Sequence, residues 1–188
     1  MEKELSPQES LQVIGKAMCN SRNLILRSSG TPLIVWGALL LLFTAVIYFL
    51  SREGEARWNM LWFILPIFGY GICFLLNRKT PSPDNQISSL LGGVWSVFGA
   101  FALLIALLAM CVVPFNITLC VIILFGMAES ISGVLLRNWF IIIAGLVTAL
   151  AGCYVAARFR SDPAQVLVFG AAAIVLLATG LYLKIKKY

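Results

Sequence analysis

The chain has 188 residues, no histidine, and charged side chains amounting to only 12% of it. The first absence removes the commonest metal ligand and the most frequent general base. The second removes the solvated surface of a water-soluble domain, which carries about 25% charged residues. The five cysteines form no Cys-x-x-Cys pair, so no zinc ribbon or thioredoxin-like motif is spelled out. There is no glycine-rich phosphate loop and no pair of carboxylates placed for acid–base work. An enzyme is therefore not expected, and neither is a metal or cofactor.

What the chain has in abundance is apolar sequence: 61% of its residues are hydrophobic, with a mean hydropathy of +0.95. Apolar runs occupy 32–50, 59–76, 89–113, 117–136, 139–157 and 164–183. About 20 such residues are needed to cross a hydrocarbon core about 30 Å thick. Lipid-exposed backbone must satisfy its own hydrogen bonds, and long continuous runs are unlike the alternating strands of a barrel. The expected fold is an all-α membrane protein with six transmembrane helices in a compact bundle over 30–188. A cytoplasmic amphipathic helix and linker are expected before it, over 1–29. About thirty mixed residues precede the first run, so that run is expected to stay on the mature protein instead of acting as a cleaved signal.

Lys3, Lys16, Arg22, Arg27, Arg78, Lys79, Arg137, Lys184, Lys186 and Lys187 fall on one side of such a bundle, and Arg52, Arg57, Arg158 and Arg160 on the other. This asymmetry puts both termini in the cytoplasm and the protein in the cytoplasmic (inner) membrane. The net charge of +6 then reflects flanks attracted to anionic headgroups, so membrane lipid is an expected partner and nucleic acid is not.

The stretch "LSPQESLQVIGKAMCNSRNLILR" begins with Ser6, Pro7 and Glu9 in a capping-box arrangement. Leu11, Ile14, Met18 and Ile25 follow on one stripe, and "RSSGT" is expected to end the helix before the membrane. Such a helix anchors on headgroups, docks on the protein's own loops, or recognises a cytoplasmic protein through residues 6–27. The Pro/Ser-rich segment Thr80 to Gln86 reads as an exposed hinge. Asn116-Ile117-Thr118 matches a glycosylation sequon but sits at a run boundary and reads as a turn. Cys111 and Cys120 lie near the same end of consecutive runs, where a disulfide or simple packing are the alternatives. Pro66, with Gly69 and Gly71, either kinks the second helix or opens it.

Small residues indicate where helices can approach closely. Gly145, Ala149, Gly152 and Ala156 form such a stripe on the fifth run, and Gly92, Ser96 and Gly99 lead a similar track on the third. These are the expected packing seams, within one chain or between two copies of a homodimer.

Glu129, in "GMAESISG", is the one acid in the middle of an apolar run. A rise of about 1.5 Å per residue leaves it on the order of 10 Å from either boundary. A charge there costs several kcal/mol, and no cation in another run matches it, so the carboxyl is expected to be neutral and protonated. Ser130 and Ser132 flank it, and Tyr70, Ser96, Thr44 and Thr148 are candidate hydrogen-bond partners. Glu129 then ties helices together, or binds a proton or cation along a transport path, or reaches toward cytoplasmic water beside Arg137. Ser130 or Ser132 with Glu129 lacks the third, orienting group of a catalytic nucleophile.

The "LSPQESLQVI" start, the "VWG" of the first run, "LFGMAESISGVLLRNWFIIIAGL" and the closing "LYLKIKKY" together resemble a functionally uncharacterised family of small bacterial multi-pass membrane proteins. A fainter likeness, in length and hairpin layout, is to the six-helix acid-resistance membrane proteins of the HdeD kind. The first resemblance implies an uncharged residue where Glu129 stands, and neither implies a catalytic residue. The expected function is that of a non-enzymatic membrane component with a structural, regulatory or partner-binding role. The alternative is a small proton- or cation-coupled transporter or channel using Glu129.

Overall fold

A computed structural model describes residues 7–51, 56–79, 86–159 and 161–185. These fold as α1 (Pro7–Ser51), a 3-10 helix (Ala56–Phe63), α2 (Leu65–Lys79), α3 (Gln86–Cys111), α4 (Ile117–Leu135), α5 (Trp139–Arg158) and α6 (Asp162–Ile185). Among the described residues there is no strand. Among the described residues six stretches are long and apolar enough to cross a membrane: Ser29–Ser51, Arg57–Leu76, Ser89–Cys111, Ile117–Leu135, Trp139–Arg158 and Pro163–Ile185. Each overlaps an apolar run of the sequence with ends shifted by a few residues. This suggests a multi-pass membrane protein.

Two antiparallel helix pairs form the core. α1 packs most extensively on α6, and α4 on α5. Along α1 the buried residues Gly30, Gly37, Thr44 and Ser51 recur every seven positions, and so do Leu33, Leu40 and Ile47. A seven-residue repeat keeps one seam facing one partner over many turns. The small positions let the backbones meet: a Cβ on Gly30 would stand 2.8 Å from Gly180 O, and one on Gly180 3.0 Å from Ile34 N. On α4 and α5 the same spacing separates Gly126 from Gly133 and Gly145 from Gly152. A Cβ on Gly126 would lie 2.4 Å from Gly145 O, and one on Gly145 2.6 Å from Gly126 O.

These two pairs join through α5 on α6 and α4 on α6, making a four-helix slab. α3 leans on α4, while α2 and the 3-10 helix lean on α1. Outward-facing residues such as Leu42, Phe49, Leu150, Tyr154 and Ile174 are exposed. The bundle is apolar outside, and the slab at its centre is tightly packed through small residues.

The N-terminal expectation is corrected. No separate amphipathic helix ends at "RSSGT"; α1 is one helix of 45 residues running through Arg27, Gly30 and Pro32. Gly30 does not break it because its missing side chain is what seats α6. An internal proline removes one helical hydrogen bond and leaves the rest of the ladder. The helix starts at Pro7, as proline at a first position favours. Gln8, Gln12, Val13 and Lys16 are exposed. The side chains of the stripe Leu11, Ile14, Met18 and Ile25 lie outside the described residues, as do Ser6 and the 80–85 portion of the hinge.

The second span is interrupted. Its first half is the 3-10 helix, a turn follows at Ile64, and Pro66 stands at the second position of α2. Ile64 N donates to Leu61 O (3.0 Å) and Phe68 N to Ile64 O (3.3 Å), so the ladder changes period across the proline. A 3-10 segment rises about 2.0 Å per residue, which keeps the two halves together long enough for a bilayer. Gly69 is not a hinge residue: it is buried against the Trp36 ring.

α4 and α5 form a hairpin closed by Leu136, Arg137 and Asn138. Arg137 N donates to Val134 O (3.0 Å) and Asn138 N to Gly133 O (2.8 Å), the bond pair of a Schellman cap. The residue in the left-handed region is Arg137, with φ 50°. Asn138 then caps α5, its side-chain oxygen accepting from Phe140 N (3.1 Å).

Candidate functional site

Two places concentrate polar chemistry inside the bundle: the α4–α5–α6 junction at Glu129 and a cavity on the other side of α4. At the junction Glu129 is 1% exposed. Helical spacing sets it with the buried Ile122 and Leu136, seven residues either side, in a row otherwise apolar.

Its partner comes from α6. Thr179 Oγ1 lies 3.3 Å from Glu129 Oε1 and 2.9 Å from Leu176 O. A hydroxyl has one proton to donate. With that proton on the Leu176 carbonyl, the contact to Glu129 is satisfied when the acid supplies its own. The second carboxyl oxygen, Oε2, has no partner. An ionised carboxylate would therefore face one hydrogen bond and no cation, which fits the neutral acid.

None of the four partners expected from the sequence takes part. Thr148 donates to Ala144 O in its own helix (2.8 Å). Thr44 Oγ1 on α1 has no partner. Tyr70 and Ser96 line the cavity. Thr179 escapes sequence reading because 50 residues separate it from Glu129 and a lone threonine in an apolar helix carries no signal of its own. Ser130 ties α4 to α5 by donating to Ile142 O (3.2 Å), while Ser132 turns back to Ala128 O (2.7 Å). Arg137 is exposed beyond the helix end.

Of the two small-residue stripes, one meets another helix. Gly145 packs on Gly126 and Ser130, with Ala149 alongside, and Gly152 sits against Ile122; Ala156 is fully buried. The track on α3 meets no helix of the same chain among the described residues: Gly92 has open space where a Cβ would be, and Gly99 has only Tyr70 Oη nearby, at 3.7 Å. Gly92, Ser96 and Gly99 line the cavity instead of seating a helix. The closest α1–α6 approach runs through Gly30 and Gly180, a seam legible in sequence only as small residues seven apart.

The cavity has a volume of about 1740 Å³. Its walls come from α1, the 3-10 helix, α2, α3, α4, α6 and the end of α5, reaching from Leu33 and Leu91 near one end of the bundle to Arg57 and Gln165 near the other. Trp36, Trp62 and Trp95 border it. Trp95 stacks edge-on against Phe98 and Phe125, both centroids 5.6 Å away, and its Nε1 has no partner. Glu129 does not line the cavity: the buried Phe125 does, one turn earlier.

Polar groups gather where α4 and α6 begin. Asn116 caps α4 by accepting from Leu119 N (3.0 Å) and donates Nδ2 to Ala156 O (2.9 Å). Both ends of its amide are engaged in holding the turn. Gln165 Nε2 donates to Ala156 O (3.0 Å) and to Phe159 O, leaving Oε1 buried without a partner. The Trp62–Phe169 ring contact (5.0 Å) ties the 3-10 helix to this end of α6. Cys111 and Cys120 near the same end are free thiols and form no disulfide. No protein-family model, curated protein or solved structure matches this chain, so its site is defined by its own geometry.

Proposed function

We propose that this protein is a non-enzymatic, multi-pass component of the cytoplasmic membrane, with both termini cytoplasmic, that works by receiving a hydrophobic guest within the bilayer. The observation that carries this reading is the 1740 Å³ cavity walled by α3 and its unfilled small-residue track. Small residues on a membrane helix normally bring another helix close. Here they widen a space, bounded on one side by the four-helix slab and on the other by α2 and α3, which pack mainly on α1 and α4 respectively. The apolar outer faces support lipid as the surrounding solvent, since a monomer in water rarely exposes contiguous apolar patches of this extent.

The transporter alternative, in which Glu129 exchanges a proton or cation, is disfavoured by the closed packing around that residue. Glu129 reads better as a neutral tie between α4 and α6. A brominated alkyl detergent tests the guest-binding reading, because bromine quenches nearby tryptophans and three of the five line the cavity. Quenching should saturate at a low mole fraction of brominated chains and lose that saturable part in Ser96→Phe. Quenching that rises in proportion to mole fraction, identically in both forms, would reject a cavity guest.

A further inference from the structure

We infer that the guest is a glycerophospholipid and that the cavity passes its headgroup from one leaflet to the other, the acyl chains trailing through the seam between α2 and α3. This rests on the guest-binding reading above and adds the chemical class of the guest and what is done with it. Length comes first. On α3 the lining runs from Leu91 to Met110, about 28 Å at a rise of about 1.5 Å per residue. The hydrocarbon core is about 30 Å thick, so a space of that length reaches both leaflets. Small-molecule pockets hold about 300–1,000 Å³, and 1740 Å³ is larger. A phospholipid is the guest of that scale which a bilayer itself supplies.

Polar groups recur along this length. Thr31 stands at one end of the lining, and Tyr70 and Ser96 follow. At mid-depth comes Pro66, in the middle of the Arg57–Leu76 stretch. It has no N–H to offer the Trp62 carbonyl, and the backbone ladder changes period there. Non-helical backbone at membrane depth is tolerated where it is buried in protein or lines a cavity that admits polar groups, and both Trp62 and Pro66 line this one. Asn59 and Thr118 carry the series to the other end. In bare hydrocarbon a headgroup would lose its hydrogen bonds outright; along this wall each polar group takes over from the one before. Between Thr31 and Asn59 no described lining residue is charged, so no fixed charge traps the headgroup halfway.

Access is lateral. α2 rests mainly on α1 and α3 on α4, with little packing between α2 and α3. Tyr70 reaches toward Gly99 across that seam, and Gly92 and Ser96 on its α3 side are exposed. Phe98 and Leu103 add apolar wall for the chains. A lipid can lean its headgroup in from the bilayer between these helices while the slab stays closed.

The test uses the full-length protein in phosphatidylcholine vesicles with a trace of phosphatidylcholine whose headgroup, in both leaflets, carries a fluorophore that dithionite bleaches. Protein-free vesicles lose the outer-leaflet signal alone; with the protein, a second phase should remove the inner-leaflet signal too. Gly92→Phe and Ser96→Phe, which fill the lining, should slow that phase roughly tenfold. Gly93→Phe, in open space on the same helix but outside the lining, should leave it intact. Pro66→Ala, which restores the missing donor, should slow the phase while saturable quenching by the alkyl detergent persists, and an unchanged rate would overturn the mid-depth step. A water-soluble fluorophore trapped in the vesicles should stay protected; its loss in step with the lipid would mean a leak and overturn the passage. Inner-leaflet signal that survives with the unsubstituted protein overturns it as well, and so does a second phase indifferent to Gly92→Phe and Ser96→Phe or slowed equally by Gly93→Phe. The guest-binding reading stands through each of these results if the detergent still saturates. Failure of both the passage and the saturable quenching overturns both.

Discussion

Glu129 is held by one hydroxyl and enclosed by two neighbouring helices, and its substitutions separate shape from charge. In Glu129→Gln the amide can donate to Thr179 Oγ1 as the acid does, so thermal stability in detergent should change by less than about 1 kcal/mol. Glu129→Ala removes that donor and opens a void, a loss of about 1–3 kcal/mol in the same melt. Thr179→Val should fall between the two. A glutamine variant as damaged as the alanine variant would mean the ionised carboxylate is what the site requires. Arg137 offers a second residue-level test. A non-glycine residue in the left-handed region costs about 1 kcal/mol, so Arg137→Gly should raise the melting midpoint, and the β-branched Arg137→Val should lower it.

Among the helices, the contrast is between glycines that seat a neighbour and glycines that face space. Gly126→Ala and Gly145→Ala each push a methyl group to within 2.4–2.6 Å of the facing backbone or side chain. Overpacking of this kind costs about 1–3 kcal/mol. Gly92→Ala meets nothing and gains helix propensity, so it should be neutral or stabilising by up to about 1 kcal/mol. Comparing the three melts checks this, and a large loss at Gly92 would mean that a helix does occupy the α3 track. The second span belongs to this scale too. Its change from 3-10 to α follows from Pro66, which denies a backbone donor where the α ladder would cross it.

For the whole molecule, the proposed six spans, an even number, would place both ends on one face of the bilayer. Accessible tags at the N- and C-termini should be reached by an impermeant reagent from the same side, and labelling from opposite sides would contradict the six-span reading. Because α1 is one helix, removing residues 1–27 leaves the stretch Ser29–Ser51 whole. The shortened protein should insert and melt within about 1 kcal/mol of the full chain, since Gly30 and the seam beyond it remain. A soluble protein that co-purifies with the full chain and is lost on truncation would assign the N-terminal part of α1 to partner recognition.

The sequence by itself determined the number of apolar spans, their approximate ends and their apolar exterior. Those are consequences of one-dimensional quantities: run length against bilayer thickness, and the scarcity of charge. It also singled out Glu129, because a lone acid in an apolar run stands out without any neighbour. The stripe Gly145, Ala149, Gly152 and Ala156 was legible as small residues at helical spacing, and its neighbours are the helices α4 and α6. Only the tertiary structure decided which small residues seat a helix and which line a space, since Gly92 and Gly145 look alike until a neighbouring backbone is placed beside one of them. It alone supplied Thr179 as the partner of Glu129, and it joined the N-terminal segment to the first span. Pairings between helices depend on three-dimensional proximity across the bundle, and no local pattern along the chain encodes that distance.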